Sequence, residues 1–142
     1  MRKKIPKEKI LIVDDEKDTC DMLSDILTDE GYILSQARTG GTALKKIREG
    51  KPGLVLLDIR MPVMNGLELL KRIKRMTGKT AVVMITAHAD VDTARESMRL
   101  GASDYITKPF DIGLIKAVVR EVLAIRAPRN ALPGRKKNPK KQ

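Results

Sequence analysis

Three carboxylates and one lysine close three separate apolar runs of this chain. Asp14-Asp15 follows Ile10-Leu11-Ile12-Val13, Asp58 follows Leu54-Val55-Leu56-Leu57, and Lys108 follows Asp104-Tyr105-Ile106-Thr107. Clustered carboxylates raise one another's pKa unless a cation neutralises them. Mg²⁺ suits such a cluster, because it takes hard oxygen ligands and is held by one or two carboxylates plus phosphate oxygens. Asp15 and Asp58 are the expected direct ligands, joined by the Arg60 backbone carbonyl, with Asp14 acting through water or holding the geometry. Mn²⁺, which suits similar oxygen ligands, is an alternative ion. A carboxylate can also accept a phosphoryl group, and Asp58 is the candidate nucleophile. The transition state of phosphoryl transfer needs positioning and positive charge more than covalent help. Lys108 would supply that charge opposite the cation. Thr86, closing a fourth apolar run, could donate its hydroxyl to a phosphoryl oxygen.

This chemistry requires the groups to converge, and the hydrophobic pattern supplies the means. Five apolar runs read as strands, at about 9–13, 32–37, 54–57, 81–85 and 104–107. Ala81-Val82-Val83-Met84-Ile85 is continuous and apolar, as a strand buried on both faces should be. Helical patterns lie between them. Segment 17–30 presents Cys20, Leu23, Ile26 and Leu27 and stops at Gly31; segment 40–49 presents Ala43, Leu44 and Ile47 and stops at Gly50. Segment 66–76 carries Leu67, Leu69, Leu70 and Ile73, with Asn65 as N-cap. Segment 91–100 has a thin stripe of Val91, Ala94 and Met98, which should make that helix easy to shift. Segment 112–125 carries Ile115, Val118, Val119 and Val122, capped by Asp111. Alternating strands and helices predict an α/β fold with a parallel sheet. The carboxyl ends of its strands share one rim, and ligands bind there.

Composition bounds the remaining possibilities. With 142 residues and 42% hydrophobic content the chain suits one domain, and 2% aromatics make its core aliphatic. No apolar stretch approaches the ~20 residues of a membrane span, so no membrane insertion is expected. The single cysteine, Cys20, excludes an internal disulfide and fits a reducing cytoplasm. The net charge of +11 sits in the tails: residues 1–9 carry five Lys/Arg and one Glu, and residues 126–142 carry seven Lys/Arg and no acid. The expected organisation is a basic N-terminal extension over 1–8, a folded domain over 9–125 and a basic, disordered tail or linker stub over 126–142. Because the charge lies outside the domain, direct nucleic-acid binding is not the expected role; a basic tail acting as a nucleic-acid arm is kept as an alternative.

Together, Ile10-Leu11-Ile12-Val13-Asp14-Asp15-Glu16, Leu56-Leu57-Asp58-Ile59-Arg60-Met61-Pro62-Val63-Met64-Asn65-Gly66, Met84-Ile85-Thr86-Ala87 and Gly101-Ala102-Ser103-Asp104-Tyr105-Ile106-Thr107-Lys108-Pro109-Phe110 resemble the receiver domain of two-component response regulators, the CheY-like family. The resemblance covers roughly residues 8–125. It implies a doubly wound, five-stranded parallel sheet with helices on both faces, the (βα)5 flavodoxin-like receiver fold with strand order 2-1-3-4-5. It also implies that Asp58 accepts a phosphoryl group from a sensor histidine kinase or histidine phosphotransfer protein while Asp14 and Asp15 organise Mg²⁺. Thr86 and Tyr105 then turn inward, switching the face formed by the fourth helix, fifth strand and fifth helix toward a downstream effector. The peptide between Lys108 and Pro109 is cis in the family, in a turn that aims the lysine. Arg60 and His88 match positions that tune loss of the phosphoryl group. The domain phosphorylates and dephosphorylates itself without being a classical enzyme, as a monomer or as a phosphorylation-dependent dimer. The Asp111-Ile112 pair is similar to receivers of the sporulation-relay and nitrogen-regulator types.

Two other uses of a parallel sheet fit less well. A haloacid-dehalogenase-type phosphatase needs an acid two residues after its nucleophilic aspartate, where this chain has Arg60; a flavodoxin-like cofactor binder needs a Gly/Ser/Thr-rich loop after the first strand, where this chain has Asp14-Asp15-Glu16. The sequence reaches Gln142 without a recognisable effector, which favours a stand-alone relay module over the N-terminal receiver of a truncated multidomain transcriptional regulator.

Overall fold

In a computed structural model, β1 (Lys9–Val13), α1 (Lys17–Asp29), β2 (Ile33–Ala37), α2 (Gly40–Gly50), β3 (Leu54–Asp58), α3 (Gly66–Met76), β4 (Ala81–Thr86), α4 (Val91–Arg99), β5 (Asp104–Thr107) and α5 (Ile112–Arg126) alternate along the chain. The structure describes residues 8–61, 64–86 and 91–126, the side chains of Val91 and Arg126 excepted. The tails, Pro62, Val63 and His88 therefore lie outside the described residues.

The five strands form one parallel sheet in the order β2-β1-β3-β4-β5. This is the expected doubly wound receiver topology. Strands β3 and β4 are buried along their whole length, which explains their uninterrupted apolar sequence. The alternation of side chains divides the core into two layers. Ile10, Ile12, Leu54, Leu56, Val83 and Ile85 face α1 and α5. Leu11, Val13, Val55, Leu57, Val82 and Met84 face α2 and α3. Changing register by one residue would exchange the two layers, so the pairing of Ile12 with Leu56 and of Leu57 with Met84 fixes where the strand ends fall.

Most helix faces follow the sequence periodicity, with three corrections. Cys20, Leu23 and Leu27 are buried in α1, while Ile26, like Leu44 of α2 and Leu67 of α3, is only partly covered. In α2 the helix includes Gly50, and Lys51 rather than the glycine takes the left-handed position, at φ 47°. Its N–H still closes the helix on the Ile47 carbonyl at 2.9 Å. In α4 the expected apolar residue Met98 is 44% exposed, whereas Ser97 is fully buried. The small side chain lets α4 approach closely, and its hydroxyl donates to the Thr93 carbonyl at 3.0 Å, which satisfies the buried Ser97 hydroxyl. The caps agree with expectation: Asn65 Oδ1 accepts from the Glu68 N–H and Asp111 Oδ2 from the Leu114 N–H.

Candidate functional site at the acidic rim

The paired strands β1 and β3 bring Asp14, Asp15 and Asp58 to one rim. One carboxylate oxygen from each lies within 4.8 Å of the others. Asp14 and Asp58 are buried and Asp15 is exposed, so the cluster has a sealed side and an open side. Mg²⁺ with bonds of ~2.1 Å would bring its ligands within roughly 4 Å of one another, so the three oxygens lie near the spacing that one ion would require.

Local backbone geometry orients the two buried acids. Asp14 Oδ1 accepts from the Glu16 N–H at 2.9 Å, and Asp58 Oδ1 accepts from the Arg60 N–H at 3.2 Å. Both are turns in which the carboxylate bonds the backbone two residues on. The N-cap of α1 is Glu16, without a side-chain cap bond; capping thus does not account for the paired aspartates. Cys20 is buried beneath them, its thiol donating to the Asp14 carbonyl at 3.4 Å. Burial pushes that thiol up to about 11, which keeps it protonated.

The second oxygen of each acid faces Lys108. Its ammonium stands 3.4 Å from Asp14 Oδ2 and 3.9 Å from Asp58 Oδ2. The lysine is anchored through its own backbone, the Lys108 N–H donating to the Thr86 carbonyl at 2.7 Å. The Lys108–Pro109 peptide is cis. Thr86 is buried at the end of β4, in register with Thr107 of β5. Tyr105 is 40% exposed on β5.

Burial dominates the electrostatics. It raises Asp58 to about 6, with the neighbouring Asp14 charge adding to the effect and the Arg60 N–H and Lys108 opposing it. Burial likewise raises Asp14, against the Glu16 N–H and Lys108. One lysine therefore does not offset the cost of two buried carboxylates, and the rim favours a divalent cation.

Two features of the site escape a motif reading. Gly66 packs so closely that a Cβ there would lie 2.5 Å from Ile59 Cα and 2.7 Å from the Asp58 carbonyl oxygen. Its N–H donates to the Ile59 carbonyl at 2.7 Å, tying the start of α3 to the residue after Asp58. In addition, the Met64 side chain packs on Gly40, where a Cβ would lie 3.1 Å from Met64 Sδ. This contact joins the loop after Asp58 to the start of α2.

A doubly wound parallel sheet with three carboxylates and a lysine gathered at the carboxyl ends of its strands defines an α/β domain with an acidic rim. More particularly, the response regulator receiver domain model matches residues 10–120, and the chain belongs to that family. Regulatory protein AtoC of Escherichia coli (strain K12) is 40% identical over 119 residues, spanning 84% of this chain and 26% of that protein. Sporulation initiation phosphotransferase F of Bacillus subtilis (strain 168) is 40% identical over 120 residues, spanning 84% of this chain and 97% of that protein. Among solved structures, the response regulator receiver domain protein (CheY-like) from Methanospirillum hungatei JF-1 superposes with a TM-score of 0.82 at 33% identity, covering 85% of this chain and 97% of that one. This chain thus spans about a quarter of one curated relative and nearly all of another. Among the described residues, no helix is long and apolar enough to cross a membrane.

Proposed function

We propose that this receiver domain takes a phosphoryl group onto Asp58 from a phosphohistidine of a kinase or phosphotransfer protein, in a cytoplasmic setting. The observation that carries this reading is the meeting of Asp14, Asp15, Asp58 and Lys108 at one rim. An Asp58 carboxylate oxygen attacks phosphorus, the bond from phosphorus to the donor nitrogen breaks, and the electron pair leaves with the donor. Asp14, Asp15, Asp58 and the Arg60 carbonyl would hold Mg²⁺, which when bound supplies positive charge against the phosphoryl oxygens. Lys108 supplies the second positive charge. Water later attacks the aspartyl phosphate, and Arg60 and His88 set the rate of that loss. The domain acts on itself and turns over no separate substrate.

The output is a shift in a pre-existing equilibrium. Thr86 binds the phosphoryl group, and Tyr105 follows inward. The partly exposed Tyr105 of β5 and Met98 of α4 support a partner surface on the α4-β5-α5 face. The near-complete match to a phosphotransferase supports a separate relay partner, and the match to a quarter of AtoC supports an attached effector equally. The test is an amide chemical-shift comparison before and after phosphorylation, in the wild type and Thr86→Ala. In the variant Asp58 is still phosphorylated but the shifts across α4, β5 and α5 diminish; undiminished shifts would refute the coupling.

A further inference from the structure

The opposite end of the molecule carries a second feature that the phosphoryl chemistry does not use. The C-terminal ends of α2 and α3, with the loops that lead into β3 and β4, enclose a groove of about 490 Å³. Ile47, Pro52 and Met76 give it an apolar lining, and Arg48, Lys51 and Lys79 line it with positive charge. Ile47 and Pro52 are buried, whereas Met76 is 37% exposed. No carboxylate of the described residues lines the groove.

This groove is the centre of a larger charge asymmetry. Residues 40–51 and 66–79 together hold nine Lys/Arg against Glu49 and Glu68. Glu68 is already engaged by Lys71 and Arg72 at 3.8 and 3.4 Å. The α1 segment is the reverse, with Lys17 alone among five acids over residues 17–30. The domain is therefore formally balanced but strongly polarised, and α2 and α3 form its positive side. Two helix C-termini at the groove would by themselves repel an anion. Their final turns are closed by the Lys51 N–H on Ile47 and the Thr77 N–H on Ile73, and Lys9 Nζ donates to the Gly50 carbonyl at 3.3 Å. The groove lining thus carries more cationic than anionic groups.

We propose that the α2–α3 groove docks an acidic peptide segment of a partner protein, with an apolar side chain seated against Ile47, Pro52 and Met76 and flanking carboxylates paired with Arg48, Lys51 and Lys79. Such grooves gain affinity from the apolar anchor and specificity from the surrounding charges. A nucleic-acid backbone offers charge but no side chain for the apolar lining, so the peptide fits better. The site lies at the amino ends of the strands, away from Asp58, and leaves the rim accessible to a phosphodonor.

The test is fluorescence anisotropy of the full chain with a short labelled peptide of Glu residues around one Leu. Parallel titrations use the same peptide with Ser for Leu and a labelled DNA duplex. Expected are saturable binding of the Leu peptide, weakening of about tenfold with Arg48→Glu, and weakening on replacing either the peptide Leu or Met76 (Met76→Ser). The variants keep the wild-type circular dichroism spectrum, because the altered side chains are exposed. A Kd weaker than about 1 mM for the Leu peptide would overturn the proposal. So would tighter binding of the duplex with indifference to the Leu, which would make the face a general polyanion surface.

Discussion

The Lys108 ammonium lies nearer to Asp14 than to Asp58, at 3.4 Å against 3.9 Å. The lysine thus bridges two acids on different strands from a position fixed by its backbone bond to Thr86. A group that moves its charge from Asp14 toward an incoming phosphoryl group would serve the transition state more than the resting site. Replacing Lys108 by Ala should therefore slow phosphoryl uptake on the order of 10²-fold. Mg²⁺ affinity should be retained, since a competing cation has been removed. Uptake kinetics together with a Mg²⁺ titration check both parts, and parallel loss of the two would assign the lysine to metal binding instead.

Asp58 should cost the folded domain stability at neutral pH in the presence of a chelator. Its folded pKa is about 6, against a usual 3.8. The folded state therefore binds more protons between these values, and stability falls as pH rises through that window. Above about pH 6 the full cost applies, at most about 2–3 kcal/mol. Asp58→Asn should then melt higher than wild type at pH 7.5, with the difference disappearing near pH 4. Thermal melts across this range check the sign; a variant less stable at pH 7.5 would contradict the electrostatic reading.

Gly66 is the positioning residue whose loss should be most visible. A methyl group 2.5 Å from Ile59 Cα cannot be accommodated by a side-chain rotation, because the obstacle is backbone. Gly66→Ala should destabilise the domain by about 1–3 kcal/mol. It should also displace Asp58, whose carbonyl is the next atom met. Denaturant melts and phosphoryl uptake should both be impaired, whereas Gly41→Ala, with no atom within 4 Å, should disturb neither uptake nor packing.

Lys51 holds a left-handed conformation that costs a side-chain-bearing residue about 1–2 kcal/mol. Lys51→Gly should stabilise the domain by about 0.5–1 kcal/mol, less than the full relief because the unfolded chain gains freedom. Chemical denaturation measures this directly, and no gain would mean that contacts of the lysine stem offset the strain.

The sheet was legible in the sequence because burial on both faces leaves nothing but apolar residues in β3 and β4, and because a parallel order sends every strand end to one rim. The convergence of Asp14, Asp58 and Lys108 follows from that alone. Ser97 and Met98 were not legible, since a helix seen as a list of apolar residues cannot show that a small polar one packs closer. Gly66 appeared only as part of a motif; its role depends on a backbone 2.5 Å away in space. At Gly50 and Lys51 the usual glycine stop misplaced the helix end by one residue.

The proposed role of Asp58 is that of a Mg²⁺-dependent phosphoryl acceptor. The most direct measurement is intact mass after incubation with a small-molecule phosphodonor, with Mg²⁺ or with chelator, for the wild type and Asp58→Asn. The predicted result is a single phosphoryl adduct on wild type in Mg²⁺ and none with chelator or in the variant. An adduct that persists in Asp58→Asn, or none on wild type with any donor, would contradict it.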